Sequence, residues 1–181
     1  YPIAQINAKG SIIRELSLNG GVDGDIEILL SKNNISKDFT SPKVSPKKIS
    51  SKGREDLTYQ PSLIFQSWES SNSPSLPAIF AQPYEGGNRI WLHSPTVSER
   101  LNIGGKLDKF LQEKGEVICL GNDWLNFLSE SLNSTSQFKV DEDCEAISLM
   151  IDINSQGNII DWKFSLSIIK PVKIISPKHL K

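Results

Sequence analysis

The sequence predicts an α/β fold of the α+β kind, with a mixed, largely antiparallel sheet and helices packed beside it. Two observations carry that class: apolar residues recurring at every second position around a turn, and other segments with apolar residues at helical spacing. The alternation is clearest near the end of the chain. Ile147, Leu149, Ile151 and Ile153 alternate, Asn154-Ser155-Gln156-Gly157-Asn158 turns the chain, and Trp162, Phe164, Leu166 and Ile168 alternate in return. A period of two puts each set on one face, so an antiparallel hairpin with one buried face per strand is expected.

The helical segments come next. Lys106 to Lys114 places Leu107, Phe110 and Leu111 at helical spacing, with Gly115 as the stop. A second helix is expected from Asn122, its cap, to Asn133, with Trp124, Leu125, Phe127, Leu128 and Leu132 forming a broad apolar face. That face should pack on the long hairpin, since each needs the other for burial. Earlier, Pro77 to Ala81 and Asn88 to His93 flank Tyr84-Glu85-Gly86-Gly87, a second hairpin signal.

Toward the start, Gly10 to Leu18 reads as a strand and Asn19 to Gly24 as a turn, with Asp25 capping a short helix from Ile26 to Lys32. Ser, Pro and Lys dominate residues 35–53, a composition that buries too little surface to fold alone and should wrap over a surface or span between domains. The expected division is residues 1–34, a linker at 35–53, and a main domain at 54–181.

Of the 181 residues 38% are apolar, enough for a core, and the net charge of −1 exerts no global pull toward nucleic acid. Any nucleic-acid contact must be local. Cys119 and Cys144 fit neither a metal-ligand spacing nor a disulfide framework and suit a reducing, cytoplasmic compartment. No apolar run approaches the roughly 20 residues that span a membrane, so no membrane partner is expected. Tyr1 in place of a starting methionine, and a helix-like opening at Ser176 to Lys181, lead us to expect the remainder of a longer polypeptide.

The motifs lie between Ser51 and Leu120. Arg54-Glu55-Asp56-Leu57-Thr58 opens a frame that Arg89-Ile90-Trp91-Leu92-His93 closes, with Val97-Ser98 following. Gly105-Lys106-Leu107-Asp108 and Lys114-Gly115-Glu116-Val117-Ile118-Cys119-Leu120 continue it. This pattern resembles the RNase II/RNase R (RNB-domain) exoribonuclease family over residues 54–181. The resemblance implies the N-terminal half of an RNB domain, preceded in residues 1–34 by the end of an OB (cold-shock) β-barrel. It also implies a hydrolase that degrades single-stranded RNA from 3′ to 5′ to nucleoside monophosphates, with Mg2+ held by an Asp-x-Asp-Asp cluster.

This chain departs from the pattern where the chemistry lies. The interval between Thr58 and Ala78 contains no aspartate, and Glu69 is its one carboxylate. Magnesium prefers an oxygen-rich octahedral shell, and two-metal hydrolysis needs several carboxylates. No catalytic residue and no metal ligand is therefore assigned, and Mg2+, the family's cofactor, is not expected on this copy. Thr96 stands where the family has aspartate, Cys119 where it has tyrosine, and Gly121 where it has proline. Asp23, Asp25 and Glu27 read as helix capping and first-turn charge, and Asp141-Glu142-Asp143 as a solvated loop.

What remains is a binding role. Lys47, Lys48, Lys52 and Arg54 form a basic run that could follow a single-stranded backbone, with a soluble linker as the rival for the lysines and a structural ion pair equally open to Arg54, and Trp68 could stack a base. His93, a lone histidine at a strand end, completes the candidate RNA-binding set, with a structural role as its rival. The two readings are an impaired exoribonuclease and a catalytically dead RNB protein that binds RNA or an RNA-processing partner.

Overall fold

The computed structural model describes residues 3–16, 21–35, 41–66, 74, 76–115, 117–121, 124–125, 128 and 130–176. The chain divides into two compact units, Tyr1–Thr40 and Ser41–Lys181. In the first, β1 (Ile3–Ile6) pairs antiparallel with β2 (Ile12–Leu16), and α1 (Gly21–Lys32) follows. Gly10 sits at φ +77° in the connecting turn, a conformation that costs a residue without Cβ little. The expected strand is thus the return arm of a hairpin, and the helix starts earlier than Ile26. Asp23 lies in its first turn, where the helix dipole favours a carboxylate, and Asp25 lies inside the helix and does not cap it.

The second unit is organised by seven strands among the described residues, in the order β11-β4-β5-β6-β9-β10-β3. They are β3 (Glu55–Asp56), β4 (Leu63–Phe65), β5 (Ala78–Tyr84), β6 (Gly87–Pro95), β9 (Cys144–Ile153), β10 (Ile159–Ile169) and β11 (Lys173–Ile175). The pairs are antiparallel except at the two edges, where β3 runs parallel to β10 and β11 parallel to β4. The β5–β6 hairpin turns through Glu85 and Gly86, both at positive φ (46° and 77°). Two positive φ angles in sequence are what a two-residue primed turn needs.

The long hairpin forms as the alternation predicts, Ile159 to Ile169 pairing with Cys144 to Ile153. Its buried face differs from the expectation. Ala146, Ser148, Met150 and Asp152 face the core, while the isoleucine row between them is half-buried. On β10, Trp162 and Phe164 are about 60% exposed and form an edge-to-face pair 5.8 Å apart. Period two fixes which residues share a face; it does not say which face the rest of the chain will cover. The covered side builds the core from Leu57, Ile64, Ala78, Trp91, Phe138, Ala146, Met150 and Ile169.

Helix α2 (Lys106–Lys114) matches the expectation, with Gly115 closing it at φ 76° and donating its N–H to Leu111 O at 2.9 Å. The second expected helix does not form as one element. Trp124–Leu125 is strand β8, paired antiparallel with β7 (Ile118–Cys119) beside Gly121 at φ 84°, and among the described residues of this segment the helix is α3 (Glu130–Thr135). Adjacent apolar and aromatic residues fit either period, and here a nearby glycine turn gives them a strand partner. The long hairpin accordingly has no Asn122–Asn133 helix to pack on; Asn122 itself lies outside the described residues. Leu132 is nonetheless fully buried from α3.

Residues 41–50 have no regular secondary structure, yet they lie on the second unit. Lys47 N–H donates to Arg100 O at 3.0 Å, and Val44 O accepts from the Ser131 hydroxyl at 3.1 Å. A composition too polar to fold alone borrows the sheet unit's backbone and side-chain partners.

Candidate nucleic-acid interface

The Arg54 to Thr58 motif builds one edge of the sheet. Glu55 and Asp56 pair with Ser167 and Ile168, and Leu57 N–H continues the ladder to Ile168 O at 2.9 Å. The chain then turns on Asp56, whose Oδ1 accepts from Thr58 N–H at 3.0 Å and from the Thr58 hydroxyl at 2.7 Å. Those two bonds hold the Asp56 carboxyl below its ordinary range. The carboxylate of the lead-in motif is thereby committed to a turn.

Arg54 is committed as well. Its Nη2 reaches both Glu99 oxygens at 2.8 Å, its Nε donates to Ser50 O at 2.9 Å, and its side chain is 3% exposed. Of the two roles open to Arg54 from its place in the motif, RNA contact and structural ion pair, the structure shows the ion pair, so Arg54 leaves the RNA-binding set. Lys47, Lys48 and Lys52 are exposed, and all three lie within the run that crosses the second unit. Trp68 lies outside the described residues.

His93 is corrected in the same way: it is completely buried on β6 and cannot touch RNA. Its Nδ1 lies 2.7 Å from Ser148 Oγ on β9, which in turn meets Ser167 Oγ on β10. Trp91 stacks beside it, centroids 6.2 Å apart at an interplanar angle of 11°. Burial pushes the His93 pKa down to about 4, so the imidazole is neutral at ordinary pH. A polar thread through three adjacent strands is a core device here, shut away from any substrate.

Sequence reasoning missed a second polar element. Arg89 makes a two-armed ion pair with Asp152, both arms 2.7 Å, and stacks on the Tyr84 ring at 3.7 Å. Arg89 holds the Asp152 carboxyl below its usual range. Tyr84 and Arg89 are legible in the second hairpin signal, but Asp152 is 63 residues from Arg89 and only sheet register joins them.

The interval that carries the family's metal cluster joins the end of β4 to the start of β5, strands paired through Ile64 and Ala78. Ala78 lies opposite His93 and Pro95 opposite Ala146, so this connection leaves from the end of the sheet where β6 finishes. Among the described residues no group of three His, Cys, Asp or Glu side chains could hold a metal ion. The donor set of the interval, a single glutamate, does not fit magnesium.

The RNB domain pattern matches residues 54–181, most of the chain. The chain belongs to the RNB domain family. The RNB segment and what precedes it align with Mycoplasma genitalium RNase R in complex with double-stranded RNA at a TM-score of 0.77 and 20% identity, covering 94% of this chain and 32% of that one. The yeast pseudonuclease Ssd1 aligns at a TM-score of 0.76 and 17% identity, over 93% of this chain and 23% of its own. Protein sts5 of Schizosaccharomyces pombe is 26% identical over 102 residues, 56% of this chain and 10% of that protein. The chain thus spans less than a third of the length of each, and the structural likenesses establish the fold.

Proposed function

We propose that this chain is part of a catalytically inactive RNB protein that binds single-stranded RNA. The observation that carries the reading is the missing acid: no aspartate stands between Thr58 and Ala78, where the family's magnesium cluster belongs. Two-metal hydrolysis needs several carboxylates to hold the ions that stabilise the attacking and leaving oxygens, and one glutamate does not provide them. The likeness to Ssd1, a pseudonuclease, supports the same direction. RNase R has been solved with ribose-methylated single-stranded RNA, which makes RNA the natural ligand class to test.

In this reading Lys47, Lys48 and Lys52 meet the phosphate backbone, a contact that carries no sequence information of its own. Residues 1–34 supply the end of an OB barrel, the protein works in the cytoplasm as part of a longer polypeptide, and Mg2+ is dispensable. The rival reading is a working 3′ to 5′ exoribonuclease. Fluorescence anisotropy with a labelled single strand, followed by chromatography of the same mixture with Mg2+, separates them. Binding without mononucleotide release is expected. Steady release abolished by a chelator would overturn the inactive assignment, and absence of binding at low salt would overturn the RNA assignment.

A further inference from the structure

The polar segment that opens the second unit carries a motif that RNA contact alone does not use. The sequence holds five Ser-Pro pairs, and only Ser45-Pro46 is followed by lysine at both of the next two positions, Lys47 and Lys48. Ser41-Pro42 is followed by Lys43 and then by Val44. The structure separates these two pairs further. Ser45 is exposed in backbone without regular secondary structure, whereas the Ser41 hydroxyl is shut away from solvent. Ser94, the hydroxyl residue of another pair, is locked in the β6 ladder opposite Ile147. Proline has no N–H and presses the residue before it into extended backbone, the form in which a protein kinase takes up its substrate. On either side of Ser45, Val44 O accepts from the Ser131 hydroxyl at 3.1 Å and Lys47 N–H donates to Arg100 O at 3.0 Å. Surface contacts of this kind open locally while a sheet stays folded, which lets the segment enter a cleft.

We propose that Ser45 is a phosphorylation site for a proline-directed protein kinase, and that its phosphate releases RNA from Lys47 and Lys48. The release rests on the reading of those lysines as RNA contacts. In the transfer, Ser45 Oγ attacks the γ-phosphorus of ATP, and the Oγ–P bond forms as the bond from that phosphorus to the β,γ-bridging oxygen breaks. ADP leaves, and the hydroxyl proton passes to the catalytic carboxylate of the kinase. The phosphoserine carries about −1.5 to −2 charges at pH 7. At ~3.3 Å per extended residue, two and three positions along the chain lie within about one Debye length, ~10 Å at 0.1 M salt. The phosphate therefore offsets the two exposed ammonium groups next to it and competes with an RNA backbone for the same donors, while Lys52 keeps its own charge free.

The test incubates the full chain with a cyclin-dependent protein kinase, ATP and Mg2+, maps the phosphate by mass spectrometry, and follows binding to a labelled single-stranded RNA by anisotropy across a salt series. Phosphate is expected on Ser45 in the native chain and in Ser41→Ala, and on neither of the two positions in Ser45→Ala. Phosphorylation should weaken RNA binding about tenfold at low salt and flatten the salt slope by about 1.4, roughly 0.7 for each of two phosphate contacts. Unmodified Ser45→Ala should bind as the native chain does, and the thermal midpoint of the phosphorylated chain should stay where it was. No phosphate at Ser45, phosphate at Ser41 in its place, or unchanged affinity with Ser45 phosphorylated would overturn the proposal. So would a fall in the thermal midpoint that accounts for the lost binding. An unmodified chain that fails to bind at low salt would instead overturn the RNA reading, and the release of RNA with it.

Discussion

Arg54 and Glu99 lie 45 positions apart in the chain and meet in an ion pair in which Arg54 Nη2 reaches both carboxylate oxygens at 2.8 Å, with the arginine side chain 3% exposed. The pair ties the lead-in motif to the turn after β6. Removing the arginine leaves a partly exposed carboxylate without its partner, so Arg54→Ala should cost about 2 kcal/mol, discounted from the buried-pair range because Glu99 still sees water. Urea unfolding would measure it. RNA affinity at a temperature where the variant is folded should not change; a large loss of affinity there would return Arg54 to the RNA-binding set.

Lys47, Lys48 and Lys52 carry the opposite expectation. Changing all three to Ser should leave stability within about 0.5 kcal/mol, as surface changes usually do. Single-stranded RNA binding should weaken, and the slope of affinity against salt should flatten by about two, at roughly 0.7 per phosphate contact. An unchanged slope, read by anisotropy across a salt series, would make the segment a spacer only.

Burial of His93 gives the fold an acid-sensitive term. The folded imidazole stays neutral down to about pH 4, whereas the unfolded one takes a proton near its ordinary value of 6.5. Between those values the unfolded chain binds more protons, so stability falls as pH falls, by about 3 kcal/mol across the window. Asp152, with its pKa lowered by Arg89, adds a further loss only at lower pH, as its carboxylate protonates. Denaturant midpoints of the native chain and His93→Gln, compared from pH 7 to 4, should converge as pH drops; parallel curves would show that the imidazole titrates in the fold.

The two faces of the long hairpin should respond unequally to truncation. Met150 is 7% exposed on the core side, so Met150→Ala should cost about 3 kcal/mol. Trp162 is 61% exposed, and Trp162→Ser should cost less than about 1 kcal/mol. The reverse order in thermal unfolding would mean that the outer face is covered in solution.

Gly87 offers a sharper backbone test. A Cβ there would meet Ile153 O at 1.9 Å, and that contact is backbone, which cannot swing aside. Gly87→Ala should therefore cost several kcal/mol, in the range of overpacked or strained sites, and loosen the β6–β9 pairing. Hydrogen exchange at Asn88 to Ile90 would report the loosening.

The sequence by itself determined what depends on neighbours in the chain. Alternation at Ile147 to Ile153 and Trp162 to Ile168 specified a hairpin, Gly115 specified where α2 stops, and the stretch after Thr58 lacks the aspartates of the family's pattern. Tertiary structure decided what depends on distant partners. It chose Ala146, Ser148 and Met150 over the isoleucine row as the core face, gave Trp124 and Leu125 a strand partner, and turned Arg54 and His93 from binding candidates into buried structure. The reason is that period and spacing fix which side chains point the same way, whereas burial, pairing and charge compensation are set by whichever segment arrives opposite them. Glu99, Ser148 and Asp152 are 45, 55 and 63 residues from the groups they satisfy, and only sheet register and loop closure bring them there.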